Sequence, residues 1–348
     1  MNYRMEKRIL GRTNFEVSAI GFGGIPIQRV DEETAYELLV EAHKQGINFI
    51  DTARGYMESE SLLGIALERI GRDKFILATK SMAKTYDAVV EEFETSLKNL
   101  RTDYIDLFQF HNVSKKEDLE TVMGENGALK AIKEYKAKGI IKEIGITSHS
   151  VELLDIAIDT GEFSTIQYPY NPVEKQGEPV FKKAKENNLG VIVMKPLAGG
   201  AISKGELSLR FIMENKDITV AIPGMDSVEQ VIENARAGNV MRPLTDDERS
   251  MLMKEADTLG EEFCRRCGYC APCTVGIDIP TQFILEGYYS RYNLQDWAID
   301  RYRGFEISAK DCIECGLCES RCPYNLPIVK MLKNVEERLG VEPSETSH

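Results

Sequence analysis

The chain alternates short apolar runs with longer stretches in which apolar residues recur at helical spacing. The apolar runs have the length and composition of strands, and their sequences are SAIGFGG, INFIDTA, KFILATK, YIDLFQFH, IKEIGITS, TIQYPYN, GVIVMKPL and TVAIPG. Runs of this kind predict strands that are buried on both faces. Because they alternate with helices, they predict βαβ units on a parallel sheet.

The stretches between these runs carry apolar residues at i, i+3 and i+4, which is typical of amphipathic helices. The clearest are DEETAYELLVEAHKQG, DAVVEEFETSLKNL, ALKAIKEYKAKG, PVFKKAKENNLG and SVEQVIENARAG. Asp31 is the predicted N-cap of the first of them. Eight strand–helix units in about 250 residues predict an α/β fold of the (β/α)8 TIM barrel type. An open doubly wound sheet is the alternative, but Gly21, Gly23 and Gly24 do not have the G-x-G-x-x-G spacing of its first turn.

Further elements are predicted on both sides of the barrel. The first residues predict a β-hairpin around Gly11, and Thr245 with Glu248 forms a capping-box pattern that predicts another helix. The segment after that helix contains all the cysteines, and its other stretches predict short helices. The predicted organisation is a barrel over 1–245 with the hairpin at about 3–18, a connecting helix over 246–260, a small mainly α C-terminal domain over 261–340 and a tail over 341–348.

Composition narrows the possible partners and location. The chain has 348 residues, 43% of them hydrophobic, which is enough for one large core and a smaller unit. Its net charge of -13 without a basic run argues against nucleic acid or an anionic membrane as the main partner. No apolar run approaches the roughly 20 residues of a membrane span, and the polar N-terminus lacks a secretion signal. A cytoplasmic location is therefore predicted.

Ionisable residues follow three neighbouring strands, and in a barrel such strand ends meet at one mouth. Asp51 follows the second strand, Lys80 the third and His111 the fourth. A lysine at the end of an apolar run needs a partner, and Asp51 is the natural one. A cation near Tyr56, in the loop after Asp51, would lower the pKa of the phenol and make it a usable acid. His111 would orient a substrate oxygen.

Several segments together resemble the aldo-keto reductase signature, and the likeness extends from the hairpin to about residue 245. They are Asp51-Thr52-Ala53, Tyr56-Met57-Glu58-Ser59-Glu60, Ala78-Thr79-Lys80 and Phe108-Gln109-Phe110-His111. The resemblance implies that Tyr56 is the general acid, that Lys80 with Asp51 tunes it, and that His111 positions a carbonyl. It also implies a nicotinamide dinucleotide bound across the barrel mouth. A non-catalytic barrel that senses a nucleotide or binds a partner is the alternative, and the complete four-residue set counts against it.

The same resemblance implies the cofactor contacts. Ser148 and Gln167 would contact the carboxamide, Met194 the nicotinamide ring, Leu197 and Gly199 the pyrophosphate, and Gly224, Gln230 and Asn234 the adenosine end, where Ser227 would cap the eighth helix. Met194 stands where many members of the family have tyrosine. Gly224 and Gln230 stand where the family usually has the cations that bind the 2′-phosphate of NADP. NAD and NADP therefore both remain candidates.

The cysteines form two closely spaced groups. All eight lie between Cys264 and Cys322, and in a reducing compartment such crowding favours metal binding over disulfides. The spacing Cys312-x2-Cys315-x2-Cys318-x3-Cys322-Pro323 is that of bacterial ferredoxins, in which the fourth cysteine reaches a second [4Fe–4S] cluster. The earlier group, Cys264-x2-Cys267-x2-Cys270-x2-Cys273, is similar.

Crossed ligation of two [4Fe–4S] clusters follows from these spacings. The predicted sets are Cys264, Cys267, Cys270 and Cys322 for one cluster, and Cys273, Cys312, Cys315 and Cys318 for the other. Two Zn(Cys)4 sites are the alternative, but the Cys-Pro ending favours iron. Electron transfer with a protein partner, shaping of the substrate pocket and oxidant sensing all remain open as roles. The predicted small-molecule partner is a carbonyl substrate.

Overall fold

The computed structural model describes residues 4–113, 115–239, 242–260, 262–265, 270–292, 294–322 and 324–341. The chain forms two compact units, and each is described here by itself. The first contains Met1–Ala198 and Lys204–Leu252, and the second contains Gly199–Ser203 and Met253–His348.

The first unit contains eight parallel strands that pair with their neighbours in chain order. They are β3 (Phe22–Gly23), β4 (Phe49–Asp51), β5 (Ile76–Ser81), β6 (Ile105–Phe110), β7 (Ile141–Thr147), β8 (Thr165–Pro169), β9 (Gly190–Met194) and β10 (Val220–Ala221). Parallel bridges join Ile20 to Ala221 and Gly23 to Gly224, so the last strand meets the first. The predicted (β/α)8 barrel is confirmed.

The hairpin before the barrel is formed by β1 (Lys7–Ile9) and β2 (Glu16–Ser18), which pair in antiparallel register. Leu10 and Val17 of this segment are buried against residues from the barrel interior. Those interior residues are Phe49, Ala78, Leu107, Ile192, Val220 and Ile222. The hairpin therefore completes an apolar plug inside the barrel, next to the starts of the strands.

Helices connect the strands and bury their apolar faces against the outside of the sheet. They are α1 (Glu32–Lys44), α2 (Ser59–Ile70), α3 (Tyr86–Asn99), α4 (Lys116–Met123), α5 (Ala128–Ala137), α6 (Val151–Asp159), α7 (Glu178–Glu186), α8 (Gly205–Glu214) and α9 (Val228–Asn239). Asp31 caps α1 by accepting a 2.8 Å hydrogen bond from the Thr34 backbone N–H, as its position in the sequence predicts.

Helix α10 (Asp246–Gly260) begins with the predicted capping box. The Glu248 carboxylate accepts from the Thr245 N–H at 2.9 Å, and the Thr245 hydroxyl accepts from the Glu248 N–H at 3.2 Å. The buried Arg210 guanidinium of α8 donates to both carboxylate oxygens of Glu248, at 3.0 and 2.9 Å. Arg210, with Arg242, holds the pKa of Glu248 well below its usual range. The start of α10 is thus fixed by a buried charge as well as by its cap.

The second unit is mainly α-helical, as predicted. After the end of α10 it contains α11 (Ile279–Arg291), α12 (Gln295–Arg303), α13 (Leu317–Ser320) and α14 (Ile328–Leu339). Ile279, Phe283, Leu332 and Val335 share its hydrophobic core with the buried Cys270 and Cys318. In the described parts of both units, every helix is too short or too polar to cross a membrane.

Replacing Gly11 tests how tightly the hairpin packs on the barrel. Gly11 has φ +54°, and a Cβ there would lie 2.2 Å from the backbone N of Gly190. We expect Gly11→Ala to lower the free energy of unfolding by about 2–4 kcal/mol, because a left-handed backbone and an overpacked contact both cost energy. The control is Gly161→Ala, since Gly161 has φ +72° but open space around it. It should cost only about 1–2 kcal/mol in urea unfolding. Equal losses would contradict the proposed contact.

Candidate functional site

The barrel interior changes from apolar to polar along each of three adjacent strands. Residues two apart on a strand face the same side, so each member of the plug predicts the direction of the residue two positions further on. The pairs are Phe49 with Asp51, Ala78 with Lys80 and Leu107 with Gln109. A polar layer therefore lies directly beyond the apolar plug, toward the carboxyl ends of the strands.

Asp51 and Lys80 form the centre of this layer. The Lys80 Nζ lies 2.5 Å from Asp51 Oδ1 and 2.7 Å from the Thr52 carbonyl oxygen. Lys80 is only 1% exposed and Asp51 only 2%. Gln109 donates its amide to Asp51 Oδ2 at 2.9 Å, and Gln167 Nε2 lies 3.5 Å from Oδ1. Burial lowers the pKa of Lys80, while Asp51 opposes that shift. The carboxylate is thus what allows an ammonium group to remain in the barrel.

Tyr56 and His111 lie beside this pair. The Lys80 Nζ is 5.0 Å from the centroid of the Tyr56 ring. The His111 ring meets the Tyr56 ring edge-on, with centroids 5.7 Å apart and planes at 86°. The loop that carries Tyr56 comes after β4 and begins beside the end of β5. There the Arg54 N–H donates to the Lys80 carbonyl oxygen at 2.8 Å. The structure therefore brings the four predicted catalytic residues together.

His111 is half-buried, and its surroundings fix its charge. Burial, with smaller contributions from Lys80 and Lys195, lowers the pKa of the imidazole to about 3. Its backbone N–H donates to the Ser81 carbonyl at 2.8 Å. The Nδ1 atom is buried and has no hydrogen-bond partner within the described part of the chain. The ring is therefore neutral near pH 7 and has hydrogen-bonding capacity to spare.

Two further residues contribute to this site and were not predicted to do so. Gln109 binds Asp51, and it could have been found because it lies on β6 two residues before His111, which directly follows that strand. Glu60, at the start of α2, is fully buried and accepts from the Thr79 hydroxyl at 2.7 Å. Its negative charge opposes the lowering of the Lys80 pKa by burial, so it supports the protonated amine. The sequence carries no local signal for that contact.

The residues predicted to contact a nicotinamide carboxamide are buried on neighbouring strand ends. The Ser148 N–H donates to the Gln167 carbonyl oxygen at 3.1 Å. The side-chain Oε1 of Gln167 is buried and finds no hydrogen-bond partner among the described residues. An amide N–H of a carboxamide fits this unused acceptor. Met194, at the end of β9, and Leu197 are both half-buried.

The predicted adenosine end lies at the start of α9. Ser227 accepts from the Gln230 N–H at 3.3 Å, and the Gln230 side chain accepts from the Asp226 N–H at 2.9 Å. Asn234 is buried in α9. A Cβ at Gly224 would lie 2.6 Å from the Pro26 Cγ, so a larger side chain cannot enter without displacing that ring.

Gly199 has φ +69° and belongs to the second unit. A Cβ at this position would lie 3.0 Å from the ring of Tyr292, which is in the same unit. Its predicted contact with a pyrophosphate remains a prediction.

Seven of the eight predicted cysteine ligands are described, and none of these seven forms a disulfide; Cys267 lies outside the described residues. One predicted ligand set, Cys273, Cys312, Cys315 and Cys318, lines a single small cavity. The members of the other set that are described are Cys264, Cys270 and Cys322, which pack in the same hydrophobic core. Among the described residues, no three potential ligands converge as they would around a single ion.

Comparisons with known proteins identify two domains in the chain. The aldo/keto reductase family model matches residues 19–208, and a 4Fe-4S dicluster domain model matches residues 263–327. The aldo-keto reductase YhdN of Bacillus subtilis is 33% identical over 233 residues, which cover 62% of this chain and 68% of that protein. The NADH-specific methylglyoxal reductase of Escherichia coli is 28% identical over 229 residues, covering 57% and 69% of the two chains.

A solved structure gives the same result. The aldo-keto reductase AKR11C1 from Bacillus halodurans, in its holo form, aligns with a TM-score of 0.64 and 26% identity, covering 72% of this chain and 96% of that one. The barrel and its matches define the class, an NAD(P)-dependent oxidoreductase, and the chain belongs to the aldo/keto reductase family. The two matched domains imply a nicotinamide cofactor and iron–sulfur clusters.

The charge state of His111 can be measured directly. Since burial lowers its pKa to about 3, we expect the imidazole to stay neutral as the pH falls from 7 to 4. An unfolded histidine titrates near 6.5, so protons favour the unfolded chain and stability should fall as the pH drops below about 6.5. Long-range 1H–15N NMR of the ring nitrogens provides the measurement. Lys80→Met should raise this pKa by removing a nearby cation, and a wild-type midpoint near 6.5 would refute the assignment.

Proposed function

We propose that the chain reduces a small-molecule carbonyl with NAD(P)H, and oxidises the corresponding alcohol in reverse, with Tyr56 as the proton donor. The observation that carries this proposal is the position of the Lys80 ammonium. It is buried against Asp51 and lies 5.0 Å from the Tyr56 ring, which itself meets the neutral His111 edge-on.

Each residue has one task in this mechanism. A bound nicotinamide supplies the hydride that forms the new C–H bond at the carbonyl carbon. The Tyr56 hydroxyl gives its proton to the carbonyl oxygen as the C=O π bond breaks. The Lys80 ammonium stabilises the negative charge left on the phenol oxygen, and Asp51 holds that ammonium in place. His111, being neutral, donates a ring N–H that orients the carbonyl.

The same layer provides the groups that would hold the cofactor. Gln167 and Ser148 would bind the carboxamide, because Gln167 has a buried acceptor that is otherwise unused. Met194 would pack its thioether against the ring, which replaces stacking by softer apolar contact. Leu197 and Gly199 would follow the pyrophosphate. These contacts would fix the ring that delivers the hydride beside Tyr56.

Tyr56→Phe removes the proposed proton and leaves the ring. We expect carbonyl reduction to fall about 100- to 10,000-fold in kcat, the usual contribution of a general acid. Cofactor binding, measured by fluorescence titration, should stay within about twofold. Tyr86→Phe is the matched control, because the Tyr86 hydroxyl donates a hydrogen bond to an exposed glutamate, Glu134, at 2.7 Å. Undiminished reduction by the Tyr56 variant would favour a non-catalytic barrel.

We further propose a preference for NADH over NADPH. Position 224 has no room for a cation beside Pro26, and Gln230 is already used to accept from the Asp226 N–H. The Asp226 carboxylate forms an ion pair with Arg29 at 3.5 Å, so this nearby cation is already paired. The name of the NADH-specific relative from Escherichia coli supports the same choice.

Gln230→Arg tests this preference by restoring a cation. Wild-type protein should bind NADH at least tenfold more tightly than NADPH. The variant should narrow that ratio by about tenfold, since a hydrogen bond to a charged group contributes about 1.5–3 kcal/mol. Gln230→Met serves as the uncharged control. Tight wild-type NADPH binding would instead require cations from other positions.

We also propose that the cysteine segment holds two [4Fe–4S] clusters with the crossed ligand sets and that it exchanges single electrons with a protein partner. The shared cavity of Cys273, Cys312, Cys315 and Cys318 supports one of the two sets. Cys315 is exposed between Ile313 and Leu317, which are 58% and 46% exposed. A cluster ligand bordered by exposed apolar side chains is suited to contact with another protein.

Metal analysis tests the two-cluster assignment. Protein purified without oxygen should contain about eight iron and eight sulfide per chain and no stoichiometric zinc. Cys312→Ala should reduce the iron to about half, because it removes a ligand from only one set. Zinc without sulfide would replace this assignment with two Zn(Cys)4 sites.

A further inference from the structure

Two side chains that can donate hydrogen bonds belong to the segments around the cavity of Cys273, Cys312, Cys315 and Cys318. One is the hydroxyl of Thr274, which itself lines the cavity. The other is the side-chain amide of Gln282 on α11. Neither residue belongs to the two cysteine motifs, and neither takes part in the proposed carbonyl reduction.

Thr274 contacts a cysteine of the cavity directly. Its Oγ1 lies 3.4 Å from the Sγ of Cys315, and both residues are exposed. When Cys315 is a thiolate ligand it has no proton, so the hydroxyl must be the donor in this contact. Because water can compete at the surface, the hydrogen bond should have a moderate effect.

Gln282 is fully buried and only half satisfied. Its Oε1 accepts from the Ala309 N–H at 3.2 Å, which fixes the orientation of the amide. Its Nε2 is buried and has no hydrogen-bond partner in the described part of the chain. A buried amide N–H that finds no acceptor costs about 1–3 kcal/mol, so its retention calls for a physical reason.

The surroundings of Gln282 indicate what that acceptor is. Ile279, three residues earlier on the same helix, lines the cavity, and residues three apart share a helix face. Ala309, which binds the other end of the amide, accepts a 3.2 Å hydrogen bond from the backbone N–H of Cys312. Gln282 is thus linked to the cavity lining in two ways, through Ile279 on its own helix and through Ala309, which bonds to Cys312. A cluster in that cavity would present sulfide and thiolate acceptors.

We propose that Thr274 and Gln282 are positioning residues that donate hydrogen bonds to the cluster of this cavity and raise its reduction potential. The inference rests on the proposed ligation by Cys273, Cys312, Cys315 and Cys318. Reduction adds one electron and one unit of negative charge without making or breaking a covalent bond. Donors aimed at the sulfur atoms stabilise that added charge, most strongly where water is excluded.

The test is a mediated dithionite titration of the anaerobic full-length protein, followed by electron paramagnetic resonance. Gln282→Met should lower the ratio of reduced to oxidised cluster about tenfold at a fixed potential, a shift of about 59 mV. Thr274→Val should lower the ratio about threefold, and Thr274→Ser should restore it. The reduction potential of only one of the two clusters should shift. The control is Thr281→Val, because the Thr281 hydroxyl binds Asp278 and does not line the cavity.

The outcomes separate this inference from the ligation on which it rests. Full iron and sulfide with unchanged potentials in both variants would overturn the inference and leave the clusters in place. Wild-type protein without sulfide would overturn the ligation and the inference together. If Gln282→Met fails to retain iron, the surface variant Thr274→Val and its serine rescue still decide the question.

Discussion

A buried ammonium–carboxylate pair is the constraint on which the catalytic unit depends. Lys80 could not remain charged inside an apolar barrel without Asp51, because removing a lone charge from water costs several kcal/mol. Asp51 in turn accepts from Gln109, so its remaining oxygen is not left bare. The pair therefore requires a surrounding layer of polar side chains, and this layer lies directly beyond the apolar plug.

The apolar plug and the polar layer both follow from the two-residue period of the strands. Phe49 and Ala78 face the plug, and the residues two positions further on face the candidate substrate site. The hairpin adds Leu10 and Val17 to the plug, which closes the interior next to the starts of the strands. The residues that stabilise the barrel and the residues of the candidate site therefore lie at different levels along the barrel axis, as is general for barrels of this type.

Much of this could be predicted from the sequence, because the period of apolar residues sets both the strands and their direction. The eight strands, the cap at Asp31 and the box at Thr245 are local signals, and the structure confirms them. The contact of Gln109 with Asp51 depends on which strands are neighbours and on their register. The pairing of buried Arg210 with Glu248 joins residues 38 positions apart, and no local pattern indicates it.

The cysteine segment shows a similar division between what spacing predicts and what packing adds. Spacing alone suggested that Cys273 acts with the later group, and the four residues of that set do line one cavity. The orphaned amide of Gln282 could not be anticipated, because it depends on how α11 packs beside the turn before Cys312. Long-range packing, not composition, determines which polar groups are buried without a partner.

A double-mutant cycle on Lys80→Met and Asp51→Asn tests the central claim most directly. Each single change leaves a buried partner without its counter-charge, so each should lower both the stability and the kcat/KM of carbonyl reduction. If the pair is the organising interaction, the loss of stability in the double variant should be smaller than the sum of the single losses by at least about 1 kcal/mol. Losses that add within about 0.5 kcal/mol would contradict the account, because independent sites behave in that way.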